Sequence, residues 1–96
     1  MTFSIVNTKE TLNSLVRRLG YRPLGYTPKE ELNCVRPLGS DYPRFHLYIK
    51  KETGKYIFNL HLDQKRPSYE GATAHSGDYD GEVVREEADR IREISG

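Results

Sequence analysis

The stretch FHLYIKKETGKYIFNLHLD, from Phe45 to Asp63, decides the fold of this chain. Two runs of alternating apolar and polar residues flank the turn KETGK, where Gly54 supplies a positive φ, so the stretch predicts a β-hairpin. If Lys51 faces Lys55, both sheet faces mix apolar and polar side chains. If Lys51 faces Tyr56, the two kinds separate onto opposite faces. Because a slip of one residue would move a whole apolar set into water, burial selects the second register.

This register places His46 opposite His61, with their Cβ atoms about 4.5–5.5 Å apart. Asp63 lies on the same face, and Tyr48 faces Asn59 beside the pair. The other face collects the apolar side chains, which are Phe45, Leu47, Ile49, Phe58, Leu60 and Leu62. Since helices are expected to cover that apolar face, the histidine face is expected to stay open to solvent.

The segments outside the hairpin predict two helices and one more strand. NTKETLNSLVRRLG carries a helical apolar stripe, with Asn7 as its cap and Glu10 completing a capping box. YRPLGYTPKE is interpreted as a loop, and ELNCVRPL as a strand. DGEVVREEADRIREI predicts a second helix, with Asp80 as its cap. The fold class is therefore α+β, in the order α-β-β-β-α, with two helices on one face of a three-stranded antiparallel sheet.

Size and composition indicate a single domain over residues 1–96, with one modest core. Apolar residues make up 35% of the chain and charged residues 30%, which is compatible with a folded domain. The single cysteine, Cys34, cannot form an internal disulfide. No signal peptide or membrane-spanning segment is recognisable, so we expect a cytoplasmic protein with no membrane partner.

Charge is distributed unevenly along the chain. Residues 1–66 hold twelve Lys and Arg against six Asp and Glu, whereas residues 67–96 hold three against eight. The basic part of the chain either attracts the acidic part or presents a surface to an anionic partner.

An RNA partner is the first functional hypothesis. Basic and aromatic side chains on an open sheet face bind RNA by phosphate contacts and stacking, and the candidates here are Arg44, Tyr48, Lys50, Lys51, Lys65 and Arg66. His46 and His61 are the candidate catalytic residues. One imidazole would take the proton from a ribose 2′-hydroxyl and the other would protonate the leaving oxygen, which makes the chain a metal-independent endoribonuclease if it is an enzyme.

The order α-β-β-β-α, the small size and a histidine on the second strand resemble the HicA-type toxins. These are small proteins that cleave messenger RNA and have a fold like that of double-stranded-RNA-binding domains. The resemblance implies that His46 is catalytic and that an antitoxin-like protein is the partner. The Gly-Ser/Thr-His signature of that family is not intact, because this chain has Gly39-Ser40-Asp41, with His46 following five residues later.

Two alternatives stand beside the RNA hypothesis. His46, His61 and Asp63 offer two imidazoles and a carboxylate to Zn²⁺ or Fe²⁺, and His75 is a possible fourth ligand. The chain is otherwise a non-enzymatic protein-interaction module that recruits a partner through its acidic last helix or a sheet edge. The long connection over residues 64–79 either lies over the histidine face or only lets the last helix reach the apolar face.

Overall fold

The computed structural model describes residues 1–6, 10–64 and 81–95, and the backbone of 77–78. These residues form six β-strands and two α-helices. The elements are β1 (Thr2–Val6), α1 (Leu12–Leu19), β2 (Arg22–Tyr26), β3 (Leu32–Pro37), β4 (Arg44–Glu52), β5 (Lys55–Asp63), β6 (Gly77–Asp78) and α2 (Glu82–Ser95).

The strands form one antiparallel sheet in the order β1-β5-β4-β3-β2, and the short β6 also pairs with β5. The predicted α+β class is confirmed, but the predicted three-stranded sheet is wrong. Two further full strands flank the three that the sequence indicated. They are β1, which pairs with the outer side of β5, and β2, which pairs with β3.

The two unpredicted strands form for different reasons. β1 turns Phe3 and Ile5 toward the core, and the Phe3 ring lies 5.4 Å from that of its cross-strand partner Phe58. Pro23 and Gly25 predict a loop at β2, and this prediction is wrong because the segment pairs with β3, with a shift of register between these two residues. All its side chains are exposed, so this edge strand is held by its backbone pairing with β3.

The hairpin has the predicted register. Lys51 pairs with Tyr56 and His46 pairs with His61, while Gly54 takes a φ of 73° in the turn. The apolar side chains of the hairpin are buried on one face, and they form a single core with the buried residues of α1 and α2. The prediction that both helices cover one face of the sheet is therefore confirmed.

The first helix begins later than predicted. Its N-cap is Thr11, whose hydroxyl oxygen accepts a hydrogen bond from the Ser14 N–H at 3.2 Å. The predicted cap at Asn7 is therefore wrong, and Glu10 binds Arg18 at 2.7 Å instead of closing a capping box. Gly20 ends the helix with a φ of 87°.

The second helix buries its predicted apolar stripe, Val84, Ala88 and Ile91. Its predicted cap, Asp80, lies outside the described residues. The helix also buries a carboxylate, because Glu87 is only 3% exposed.

Glu87 joins three elements through one network of hydrogen bonds. Its carboxylate accepts a hydrogen bond from the Tyr21 hydroxyl at 2.6 Å. It also accepts two hydrogen bonds from Arg36 on β3, at 2.9 and 3.2 Å, and two from Arg90 on α2, at 2.7 and 2.9 Å. Arg90 in turn donates to the Leu19 carbonyl at the end of α1. The network therefore fixes where α2 lies relative to α1 and the sheet.

We expect Leu60→Ala to lower the free energy of unfolding by about 2–5 kcal/mol, because it leaves a cavity in the core. Asn59→Ala, on the opposite face, should cost far less. Urea denaturation of both variants measures the difference. Equal losses would contradict the assignment of the two faces.

We expect Glu87→Ala to lower the free energy of unfolding by about 3 kcal/mol at pH 7, since it leaves buried donors unpaired. Asp89→Ala, which removes an exposed ion pair with Arg92, should cost less than about 1 kcal/mol.

The effect at Glu87 should depend on pH. Burial acts to raise the pKa of Glu87, but hydrogen bonds from Arg90, Arg36 and Tyr21 outweigh it and hold the pKa below its usual 4.5. The unfolded chain therefore binds this proton more readily, so the stabilisation is present above pH 4.5 and is lost as pH falls further. Denaturation at about pH 3 should show a smaller difference between wild type and Glu87→Ala. A difference that grows in acid would contradict the network.

Candidate metal centre

Three neighbouring strands bring six polar or aromatic side chains together on the face opposite the core. Residues two apart on a strand share a face, and so do cross-strand partners. The cluster comprises Asn33 from β3, Arg44, His46 and Tyr48 from β4, and His61 and Asp63 from β5. The hairpin register pairs Arg44 with Asp63 and His46 with His61, so the separation of apolar from polar residues also assembles the site.

The Asp63 carboxylate lies between the two imidazoles. Its Oδ2 is 2.9 Å from Nδ1 of His46, and its Oδ1 is 3.1 Å from Nε2 of His61. Arg44 approaches the same carboxylate, with Nε at 3.4 Å from Oδ2. The Asp63 carboxylate therefore contacts two imidazoles and one guanidinium.

The second ring nitrogen of His46 contacts β3. Its Nε2 forms a short hydrogen bond with the side-chain carbonyl oxygen of Asn33. Each nitrogen of this imidazole thus meets a protein oxygen, which fixes the plane of the ring.

The aromatic ring of Tyr48 packs against both histidines. The Tyr48 ring stacks on His46 with centroids 4.7 Å apart and lies 5.9 Å from the His61 ring. The two imidazoles are 4.8 Å apart. Tyr48 therefore covers the histidines from the side of the hairpin turn.

The histidines are buried rather than open to solvent. Each has only 9% of its surface exposed, so the expectation of an open histidine face is wrong at this point of the sheet. The reason is local packing. Val35, which pairs with His46, is fully buried on this face, and the side chains of Asn33 and Tyr48 are themselves half-buried.

Burial also affects protonation of the pair. Desolvation lowers the pKa of His61, and the positive charge that His46 can carry acts in the same direction. Asp63 acts to raise the pKa but does not outweigh these effects. His61 is therefore a neutral imidazole near pH 7, which is the form that binds metals.

The arrangement fits a small divalent cation. Ligand atoms of His46, His61 and Asp63 all lie within 4.8 Å of one another. Tetrahedral Zn²⁺ with bonds of about 2.0–2.2 Å needs ligand atoms about 3.3 Å apart. The two contacts to Asp63, at 2.9 and 3.1 Å, are close to this spacing, and they use different oxygens of the carboxylate. Side-chain rotation has to bring one Asp63 oxygen and the two imidazole nitrogens to a common distance.

The other predicted site residues are placed differently. Lys50 and Lys51 are exposed near the hairpin turn, away from the histidines. Lys65, Arg66 and His75 lie outside the described residues, as does most of the predicted connection over residues 64–79.

Sequence reasoning missed Asn33, the partner of His46. ELNCVRPL was identified as a strand, but its register against β4 was not assigned. The alternation of Leu32, Asn33 and Cys34 puts Asn33 on the polar face, because Leu32 and Cys34 belong to the core. This alternation is enough to predict that Asn33 lies on the polar face.

Cys34 does not contribute to the site. It is buried on the core face, its thiol donates to the Leu47 carbonyl at 3.4 Å, and burial raises its pKa to about 12. A thiol in this state is neither a ready metal ligand nor a nucleophile.

The chain matches no protein-family model, no curated protein and no solved structure. The resemblance to HicA-type toxins therefore stays a prediction. Among the described residues, no helix combines the length and apolar character that a membrane crossing needs.

Proposed function

We propose that the protein binds a divalent metal ion, Zn²⁺ or Fe²⁺, through His46, His61 and Asp63. The observation that carries this proposal is the position of the His46 ring between Asn33 and Asp63. The ring has an oxygen acceptor at each of its nitrogens.

A neutral imidazole carries only one N–H. When Nε2–H donates to the Asn33 carbonyl oxygen, the lone pair of Nδ1 points at the Asp63 carboxylate, 2.9 Å away. Two electron-rich atoms at this distance need a cation between them. A second proton on the ring fills that role, and so does a metal ion bound to Nδ1 and to the carboxylate.

The hydrogen bond to Asn33 is the kind of contact that metal-binding histidines make. Their second ring nitrogen commonly donates to a protein oxygen, which fixes the tautomer and directs the other nitrogen at the metal. Arg44 similarly contacts the Asp63 carboxylate from outside the ligand set.

The donor set favours a first-row transition metal. Two imidazoles and one carboxylate suit Zn²⁺ and Fe²⁺, whereas Mg²⁺ and Ca²⁺ prefer oxygen ligands throughout. Three protein ligands also leave a coordination position for water or another molecule, as in catalytic rather than structural zinc sites.

The same geometry gives less support to proton transfer by the histidines to RNA. A general acid or base must reach the proton that it moves. Both nitrogens of His46 contact protein oxygens, and both histidines are almost wholly buried. Metal-independent cleavage by His46 and His61 remains a prediction.

We expect Zn²⁺ to bind with a stoichiometry of one in a calorimetric titration at neutral pH. It should also raise the melting temperature, because it binds the folded state alone. His61→Ala and Asp63→Ala should each weaken binding by at least about 10–100-fold, which is the effect of losing even an indirect contact at a metal site.

Asn59→Ala is the matched control for this titration, since Asn59 lies on the same face and outside the ligand set. Its Zn²⁺ affinity should equal that of wild type. Absence of binding at micromolar Zn²⁺, or unchanged affinity in His61→Ala, would rule out the proposed site.

Binding of RNA is a second candidate function, at a separate place on the sheet. Lys50 and Lys51 are exposed near the hairpin turn on opposite faces of β4, and Tyr26, two strands away on the same face as Lys51, is 67% exposed. Lysines that reach phosphates and an open aromatic ring are the elements of single-strand binding.

We expect the affinity for a single-stranded RNA to fall steeply as salt increases, because phosphate contacts release counterions. Replacing both Lys50 and Lys51 by Gln should weaken binding of all sequences alike and make the dependence on salt shallower. Fluorescence anisotropy measures both quantities. Lys29→Gln, in the turn between β2 and β3, is the control, and an equal loss there would indicate only nonspecific attraction.

A further inference from the structure

We infer that the metal centre takes an oxyanion, a phosphate or carboxylate group, held jointly by the metal ion and the guanidinium of Arg44. This inference rests on the proposed function, because it needs the metal. It assigns Arg44 a role that the contact with Asp63 does not by itself require.

Arg44 is held in place but has unused hydrogen-bonding capacity. Its guanidinium lies over the Tyr42 ring at 4.7 Å, and Nε is 3.4 Å from Asp63. Within the described part of the chain, its terminal nitrogens Nη1 and Nη2 donate no hydrogen bond. Stacking on one face leaves those edge nitrogens available, and the side chain is 22% exposed, so a small ligand can reach them.

The second argument is charge. A divalent ion with neutral imidazoles and one carboxylate carries a net charge of +1, and Arg44 beside it makes +2. Among the residues that the structure describes, Asp63 is the one carboxylate in contact with this group. A net positive charge in a nearly buried site is unfavourable unless an anion compensates it.

An oxyanion both accepts hydrogen bonds from Arg44 and compensates the positive charge of the site. One of its oxygens can take the coordination position that the three protein ligands leave open. A second oxygen can accept hydrogen bonds from the guanidinium, whose planar array of N–H groups matches phosphate and carboxylate. A hydroxide ion would compensate only part of the charge and would not engage Arg44 in this way.

The test uses the full chain loaded with one equivalent of Zn²⁺ and no excess metal, so that phosphate does not precipitate. Calorimetry then measures binding of inorganic phosphate, dimethyl phosphate and acetate to the same preparation. These three probes represent a free phosphate or phosphomonoester, the diester link of a nucleic acid, and a carboxylate. The tightest of the three identifies the source of the oxyanion.

We expect at least one probe to bind the zinc-loaded protein and to bind the metal-free protein at least tenfold more weakly. Arg44→Gln should weaken that binding at least tenfold in protein whose zinc content has been measured and equals that of wild type, which separates loss of the contact to the oxyanion from loss of the contact to Asp63. Arg44→Lys should fall between wild type and Arg44→Gln, since it keeps the charge but lacks the planar N–H array. Lys55→Gln, an exposed cation at the hairpin turn, should behave as wild type.

Three results would overturn the inference while leaving metal binding intact. They are no binding of any probe to zinc-loaded wild type, equal binding with and without zinc, and unchanged binding in both Arg44 variants. Failure of the proposed function itself is seen earlier, as no uptake of Zn²⁺ by wild type. Circular dichroism of the two Arg44 variants confirms that each is folded before its result is interpreted.

Discussion

Burial of one face of the β4–β5 hairpin is the constraint on which the rest of the structure depends. The apolar residues of both strands can reach the core together in one register only, and that register sets Lys51 against Tyr56. The opposite face has no such requirement of its own. Its polar residues meet where the core places them, so the stability of the hydrophobic core determines the geometry of His46, His61 and Asp63.

The two sides of the sheet each hold a carboxylate contacted by arginine, but they use it differently. Glu87 receives five hydrogen bonds from Tyr21, Arg36 and Arg90, and each of these donors is ionised or a strong hydroxyl donor. Both oxygens of the Glu87 carboxylate accept hydrogen bonds in this network, which holds the helices to the sheet. Asp63 instead shares its oxygens with two imidazoles, whose nitrogens can bind either a proton or a metal. Only the second arrangement has capacity for a ligand, which is why the proposals concern that face.

The sequence predicted much of this arrangement because strand periodicity is a strong signal. The hairpin register, the pairing of His46 with His61 and the apolar stripe of α2 followed from alternation and helical spacing alone. The alternation of TFSIV in β1 carries the same signal on a shorter scale. The run is only five residues long, so the helical stripe that follows it is the stronger pattern.

Other features depend on contacts that periodicity does not report. β2 contains a proline, a glycine and no buried side chain, so only its backbone pairing with β3 defines it as a strand. The burial of the histidines depends on the register of β3, which brings Val35 and Asn33 beside His46. Such a register links segments that are separate in the chain, and neither segment alone specifies it. The roles of Lys50, Lys51 and Arg44 in binding stay predictions.

The position of β5 inside the sheet has a consequence for the thermodynamics of ligand binding. β4 pairs along one side of β5, while β1 and β6 pair along the other and Met1 exchanges backbone hydrogen bonds with Leu60. A strand enclosed in this way opens only in large unfolding events, so its amides should be among the slowest in the chain to exchange hydrogen for deuterium. His61 and Asp63 are carried by this strand, and the entropy of ordering its backbone is lost when the chain folds. A ligand that arrives later meets a preorganised backbone and restricts only a few side-chain rotations.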